Sequence, residues 1–330
     1  MTNIAILAPG SIARSMAKTL RGMKQQGAPI RLYAAASRDL ARAQAFCEKE
    51  GFEVAYGSYE EMVKDPNVDL VYIASPHSHH AEHMKLCIEH GKAVLCEKAF
   101  TANAKQAREV LALAEEKKVL VTEAIWTRYM PSLKIMKDII ASGAIGEVKM
   151  VSASLFYVID HVPRLYLPEL AGGALLDVGV YPLNFACMIL GSNPVRMESS
   201  VQLTETGVDY QESFTLHYEG GQMAVLSAGT GSRCDRRCLI SGTKGYIVAD
   251  NVNNIHKIEL FTAEDDFATG KDFPVPQQIT GYEYQVESCL RALEKGEIEC
   301  PEMPHAETIR VMELMDTLRA QWGVVYPFEK

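Results

Sequence analysis

The sequence predicts an α/β protein in two parts: a doubly wound parallel sheet at the N-terminus, then an α/β domain with a large, mostly antiparallel sheet. Three observations carry this. As far as residue 123, unbroken apolar runs alternate with amphipathic helical stretches; beyond it, the segments alternate apolar and polar residues; and turn dipeptides separate those later segments. Unbroken runs suit parallel strands buried on both faces, whereas alternation suits antiparallel strands with one solvated face. A length of 330 residues also makes about two domains at roughly 150 residues each. The division is read as 1–123 for the first and 124–330 for the second.

The strands of the first part are read at residues 4–7, 32–35, 70–73, 93–95 and 119–121, with helices at 11–23, 39–50, 81–89 and 102–117 between them. Strand alternating with helix gives a parallel sheet with right-handed crossovers. A helix over 131–142 stops at Gly143, and an alternating run follows over 147–157. Further alternating segments at 197–204, 210–218, 222–230, 238–241, 246–249 and 255–261 are divided by turns such as Gly220-Gly221 and Thr243-Lys244-Gly245. Consecutive strands joined by tight turns make an antiparallel sheet. Amphipathic helices over 282–295 and 306–322 close the molecule.

Composition excludes several classes. Lys and Arg number 33 against 42 Asp and Glu, a net charge of −9, which argues against a nucleic-acid surface because counterion replacement needs a basic excess. No run approaches the ~18 uninterrupted apolar residues that span a bilayer, and no leader pattern opens the chain, so the expectation is no membrane and a cytoplasmic location. The cysteines at 47, 87, 96, 187, 234, 238, 289 and 300 have no C-x-x-C pairing and read as reduced, mostly buried thiols. Arg233, Arg236 and Arg237 beside Cys234 and Cys238 argue against a metal there.

The first strand runs into Ala8-Pro9-Gly10-Ser11-Ile12-Ala13, which matches the second and third positions of the dinucleotide loop G-x-G-x-x-G/A. A small residue at Ala8 serves the turn, Gly10 lets backbone approach a pyrophosphate, and Ala13 packs helix on strand. The N–H groups that open the helix, at Ser11 and Ile12, then meet the phosphate charge. The second strand ends in Ser37-Arg38-Asp39. NAD favours a carboxylate at that strand end, whereas a guanidinium pairs a 2′-phosphate, so NADP(H) is favoured, with NAD(H) possible. Asp39 is also the expected N-cap of the next helix.

The run His77-Ser78-His79-His80-Ala81-Glu82-His83 invites a metal reading. The H-x-H-x-D-H pattern of metallo-β-lactamase-like hydrolases, started at His77, demands Asp at 81 and His at 82; the chain has Ala81 and Glu82. No metal is therefore expected. Residues 77–80 are read instead as capping the helix that follows Ser75-Pro76, beside the nicotinamide half of a dinucleotide crevice.

The segments Ala74-Ser75-Pro76-His77-Ser78-His79-His80, Cys96-Glu97-Lys98-Ala99 and Gly172-Gly173-Ala174-Leu175-Leu176-Asp177-Val178-Gly179-Val180-Tyr181-Pro182 resemble, in order and spacing, the Gfo/Idh/MocA oxidoreductases. Those carry an Ala-Thr-Pro segment ending in His, a Glu-Lys-Pro segment and an Asp-x-Gly-x-x-His/Tyr segment. The stretch Glu123-Ala124-Ile125-Trp126-Thr127-Arg128-Tyr129-Met130-Pro131 and Tyr181 look similar to the dimeric, NADP-dependent dihydrodiol dehydrogenase branch. The resemblance implies a Rossmann domain, Lys98 as catalytic lysine, Asp177 as the carboxylate beside it and Tyr181 at the acid/base position. It matches His80 to the final His of the first segment, sets Glu97 to position loop and cofactor, and implies a homodimer through the C-terminal sheet. Ala99 departs from the family's proline, which leaves the backbone that presents Lys98 without that ring's constraint.

Oxidising an alcohol carbon by hydride transfer needs a group that removes the hydroxyl proton, and the reverse needs a donor to the alkoxide. An ammonium beside a phenol favours phenolate, so Lys98 and Tyr181 form a sensible relay. Trp126, Arg128 and Phe156 are weaker candidates for pocket walls, and Trp126 as a core residue reads identically. The expected activity is NADP(H)-dependent, reversible hydride transfer at a secondary hydroxyl or ketone of a sugar, polyol or trans-dihydrodiol. A non-catalytic dinucleotide sensor of the same fold is the alternative, with a zinc hydrolase using residues 77–83 behind it.

Overall fold

The first apolar run folds as β1 (Thr2–Leu7), and α1 (Ser11–Gln25), β2 (Ile30–Ala36), α2 (Leu40–Glu50), β3 (Val54–Tyr56), α3 (Tyr59–Lys64), β4 (Leu70–Ile73), α4 (His77–Glu89), β5 (Ala93–Glu97), α5 (Ala104–Lys117) and β6 (Val121–Ala124) follow. The computed structural model describes residues 1–330, apart from the side chain of Asp265. The six strands form a parallel sheet in the order β3-β2-β1-β4-β5-β6. This is the doubly wound order whose direction reverses between β1 and β4, where a crevice opens beyond the strand ends. Ile4 to Leu7 and Leu70 to Ile73 are essentially unexposed, because helices cover both faces.

Three local readings shift. The short edge strand β3 and helix α3 were not expected; three half-buried residues, Val54, Ala55 and Tyr56, leave no apolar run to read. β6 starts at Val121 rather than 119. Helix α4 begins at His77, with Pro76 at its N-cap, so residues 77–80 form its first turn instead of capping it.

The chain continues through α6 (Pro131–Ala141), β7 (Val148–Phe156), a π-helical turn (Leu175–Gly179), α7 (Val180–Leu190), β8 (Arg196–Leu203), β9 (Asp209–His217), β10 (Met223–Gly229), β11 (Cys238–Gly242), β12 (Gly245–Ala249), β13 (Lys257–Thr262), β14 (Lys271–Pro274), α8 (Glu283–Lys295) and α9 (His305–Trp322). Strands β7 to β14 form one sheet in the order β14-β13-β12-β11-β7-β10-β9-β8. Every pairing is antiparallel except β7 with β10. Val151, Ala153 and Leu155 on β7 are buried while their neighbours are not, so one face of this sheet packs and the other is open. Helix α7 packs against β7 and β10 and is buried nearly all round. The stretch Pro168–Leu190 is apolar and long enough to cross a membrane by composition, yet 89% of its most apolar window is buried in protein, as a core helix would be.

By contacts, the chain divides into one unit of Met1–Tyr129 with Gln278–Met312 and a second of Met130–Gln277 with Glu313–Lys330. In the first, Glu283 of α8 accepts from the N–H groups of Ile279, Thr280 and Gly281, tying the returning segment into a turn. In the second, Arg319 is buried between Asp316 and Glu329 and lies over the Tyr326 ring at 4.5 Å.

Candidate functional site

In the first unit, a cavity of about 400 Å³ lies where the loops after β1, β2 and β4 meet, lined by Ala8, Pro9, Gly10, Ser37, Arg38, Arg42, Ser75, Pro76, His79 and His83 among others. This is the switch point of the sheet. Ala8 has φ 64°, the left-handed region that a glycine occupies without cost, so the turn keeps the geometry that the missing glycine of the motif would give. Gly10 is the N-cap of α1; that helix has no side-chain cap and no acidic residue in its first turn. A Cβ on Gly10 would meet nothing nearer than the Ala8 carbonyl oxygen at 3.9 Å, so the helix N-terminus opens onto free space. Uncapped N–H groups facing an open cradle suit a phosphate. Ser11 and Ile12 form the first turn there.

Arg38 and Arg42 border the same cavity, four residues apart on the turn that Asp39 caps by accepting from the N–H groups of Ala41 and Arg42. Two guanidiniums at the end of β2 give a local positive site on an acidic protein. Arg42 escaped the sequence reading, although its i+4 spacing from Arg38 is a visible signal. His79 and His83 also line the cavity, whereas His77 and His80 do not. His79 and His83 stack at 5.7 Å, and His83 meets the Tyr59 ring edge-on at 4.8 Å. Among the described residues, no cluster of three or more His, Cys, Asp or Glu side chains is arranged to hold a metal.

His80 is buried, its ring nitrogens 2.9 and 2.8 Å from the carbonyl oxygens of Ala99 and Ser75. Burial pulls its pKa down to about 4 against the opposing pull of those carbonyls. It therefore links the loop after β4 to the loop after β5.

Lys98 follows β5 on a segment gripped by buried side chains. Tyr72 donates to Glu97 Oε1, and the Lys98 N–H donates to Glu97 Oε2 at 3.3 Å. The Phe100 N–H donates to Glu123 Oε1 at 3.0 Å. The Lys98–Ala99 peptide is cis, with alanine where the family pattern has proline. Glu123, named in the sequence only as part of the stretch 123–131, was given no role there. Burial pushes its carboxyl up to about 7, opposed by Arg128. Its Oε2 has no hydrogen-bond partner.

Trp126 is buried and stacks on Tyr282 with ring centroids 4.2 Å apart. Arg128, also buried, pairs with Glu307 at 2.6 Å. Both sit inside the first unit as packing and ionic ties, neither on the cavity. In the second unit, Asp177 lies in the π-helical turn and Tyr181 four residues on in α7, about one turn apart and so on one face. Asp177 accepts from Arg164 at 2.9 Å. Phe156 ends β7 on the open sheet face, beside Ser200, Gln202, Gln211 and Ser227, opposite the face that α7 covers. The structure thus groups Asp177 with Tyr181 and leaves Phe156 apart from them.

Residues 2–125 match the family model described as "Oxidoreductase family, NAD-binding Rossmann fold", and residues 133–248 match the GFO/IDH/MocA C-terminal domain. A trans-1,2-dihydrobenzene-1,2-diol dehydrogenase of Mus musculus is 34% identical over 334 residues, covering 98% of each chain. That of Homo sapiens is 33% identical over 306 residues, covering 90% of each. Two solved structures share the fold: KijD10, a 3-ketoreductase from Actinomadura kijaniata in complex with NADP and TDP-benzene (TM-score 0.85, 24% identity, 97% of each chain), and an aldose-aldose oxidoreductase from Caulobacter crescentus complexed with glycerol (TM-score 0.86, 20% identity, 98% and 97%).

His83 makes the cavity wall pH-sensitive. Burial, with His79 and His80 nearby, pulls its pKa from 6.5 to about 4. The unfolded chain therefore binds more protons between those values, so His83 favours folding fully above pH 6.5 and progressively less as pH falls toward 4. Thermal midpoints measured from pH 7 to 4.5 should fall less steeply for His83→Asn than for the parent. Parallel slopes would contradict it.

Proposed function

This chain belongs to the GFO/IDH/MocA oxidoreductase family, and from that premise we propose that it is an NADP(H)-dependent dehydrogenase moving hydride between the nicotinamide and a secondary hydroxyl or ketone of a sugar, polyol or trans-dihydrodiol. It is an oxidoreductase with an NAD(P)-binding Rossmann domain. The substrate range rests on the family, whose relatives carry names for a trans-dihydrodiol dehydrogenase, a 3-ketoreductase and an aldose-aldose oxidoreductase.

The observation that carries the cofactor reading is the pairing of Arg38 and Arg42 on one cavity with the uncapped N-terminus of α1. The helix end and Gly10 would take the pyrophosphate, and the two guanidiniums a 2′-phosphate. Ser37 adds a hydroxyl at the same strand end. Among the relatives of this fold, KijD10 is in complex with NADP.

When bound, the nicotinamide ring accepts or supplies the hydride. The chain's own work is the proton and the orientation. We assign the proton to Lys98 and Tyr181, side chains of a type that can take it from, or return it to, the substrate oxygen. Asp177, held by Arg164, lies on the Tyr181 face, and the side chains around residues 97–100 fix the backbone from which Lys98 extends. A homodimer through the open face of the second sheet and a cytoplasmic location belong to the same proposal. Exposed Met150, Val225 and Leu203 on that sheet are compatible with the dimer.

Steady-state kinetics with purified Lys98→Met and Tyr181→Phe should show kcat reduced by at least about 100-fold, the usual scale of acid/base catalysis, with NADPH affinity changed little. Parent-like turnover in both variants would sink the assignment. Fluorescence titration of Arg38→Ala and Arg42→Ala should weaken NADPH by roughly 10- to 100-fold each, the scale of a hydrogen bond to a charged group, and barely alter NADH. A parent protein that binds NADH more tightly than NADPH would refute the arginines' role.

A further inference from the structure

We propose that Arg164 is a specificity-determining residue that, paired with Asp177, recognises an oxygen vicinal to the reacting hydroxyl; this rests on the reading of Asp177 and Tyr181 given above. Arg164 lies in the short turn Pro163–Tyr166, on a loop without long regular structure between β7 and the π-helical turn. One terminal nitrogen donates to Asp177 Oδ1 at 2.9 Å. The Asp177 side chain is only 7% exposed, whereas that of Arg164 is 41% exposed. The arginine is therefore the solvent-facing member of the pair. A guanidinium carries five N–H donors in a planar fork, and the remaining ones on Arg164 meet no protein acceptor among the described residues.

The pair thus presents an acceptor and several donors side by side, next to the helix face that carries Tyr181. That pattern suits two adjacent oxygens, a hydroxyl donating to the carboxylate and its neighbour accepting from the guanidinium. A lone hydroxyl uses only half of it. A surface ion pair alone would be worth little, so the backbone that sets Arg164 in place matters more. Here it is tightly held. A Cβ on Gly172 would come within 2.7 Å of the carbonyl oxygens of both Arg164 and Leu165, so this glycine lets the loop fold back directly onto the Arg164 turn. The Gly173 N–H donates to the Leu165 carbonyl at 3.0 Å, and the Tyr326 hydroxyl donates to the Gly172 carbonyl at 2.9 Å. Ordering Arg164 on binding therefore costs mainly side-chain freedom.

In the oxidation of a vicinal diol, the carbinol C–H leaves as hydride to NADP⁺, the O–H proton goes to the protein base, and an α-hydroxy ketone is formed. Arg164 takes no part in that exchange and acts by holding the second oxygen. The test compares trans-cyclohexane-1,2-diol with cyclohexanol as substrates, with NADP⁺, in the parent, Arg164→Ala, Arg164→Lys and Tyr181→Phe. The parent should favour the diol, and Arg164→Ala should reduce that preference in kcat/KM by at least tenfold, chiefly through KM. Arg164→Lys should recover part of it. If Arg164→Ala lowers both substrates equally, Arg164 only holds Asp177, and if it lowers neither, Arg164 contributes nothing; either result overturns the proposal, while parent activity lost in Tyr181→Phe leaves the underlying reading standing. Absence of parent turnover on both alcohols overturns both.

Discussion

The chemistry assigned to the first unit depends on how four consecutive backbone units, residues 97–100, are held at the end of a buried strand. Glu97, Ala99 and Phe100 are all removed from water, so the polar backbone there must find partners inside the protein. It finds them in side chains from three other elements: Glu123 from β6 takes the Phe100 N–H, His80 from α4 reaches the Ala99 carbonyl, and Tyr72 from β4 steadies Glu97, which takes the Lys98 N–H. Each such bond is worth about 1 kcal/mol net, but breaking one inside the protein leaves a buried polar group unpaired, which costs more. These polar contacts hold a segment that carries Ala99 where the family pattern has proline.

The second unit meets a related demand differently. The π-helical turn that carries Asp177 starts a helix buried nearly all round, and its first N–H groups need an acceptor where water is absent. Asp209 supplies one, accepting from the Leu175 N–H at 2.5 Å. Glu212 lies against Gly179, where a Cβ would approach its Oε1 to 2.6 Å, so a larger residue there would displace this buried side chain. Burial, with Asp209 close by, pushes the Glu212 carboxyl far up, which keeps it neutral and tolerable in that place. Asp209 and Glu212 thus settle the turn at Leu175 and Gly179, and Arg164 holds the Asp177 carboxylate.

Much of this was legible in the sequence, for physical reasons. Parallel strands buried on both faces leave unbroken runs, so β1, β2, β4 and β5 could be read; β3 could not, because three half-buried residues leave no run. The loop at Ala8 to Ala13 was legible through its small residues, and the left-handed φ of Ala8 explains why glycine is the usual choice. Arg38 was readable from its place at a strand end, but its partner Arg42 only through helical spacing. The histidine run was legible as a feature and misleading in detail: His79 and His83 reach the cavity, while His80 turns inward to carbonyls. Glu123 and Arg164 make contacts distant in sequence, at Phe100 and Asp177, and no local pattern encodes such partners.

The central claim is that side-chain contacts, with Glu123 foremost, hold residues 97–100 so that Lys98 can act. The direct measurement is the single-turnover rate of NADPH oxidation at saturating cofactor and ketone for Glu123→Gln and Glu123→Leu. Gln keeps an acceptor for the Phe100 N–H and should retain most of the rate; Leu removes it and should slow the step at least about tenfold while NADPH affinity holds, about the effect of one lost buried hydrogen bond. A Leu variant as fast as the parent, or a Gln variant as slow as Leu, would contradict the account.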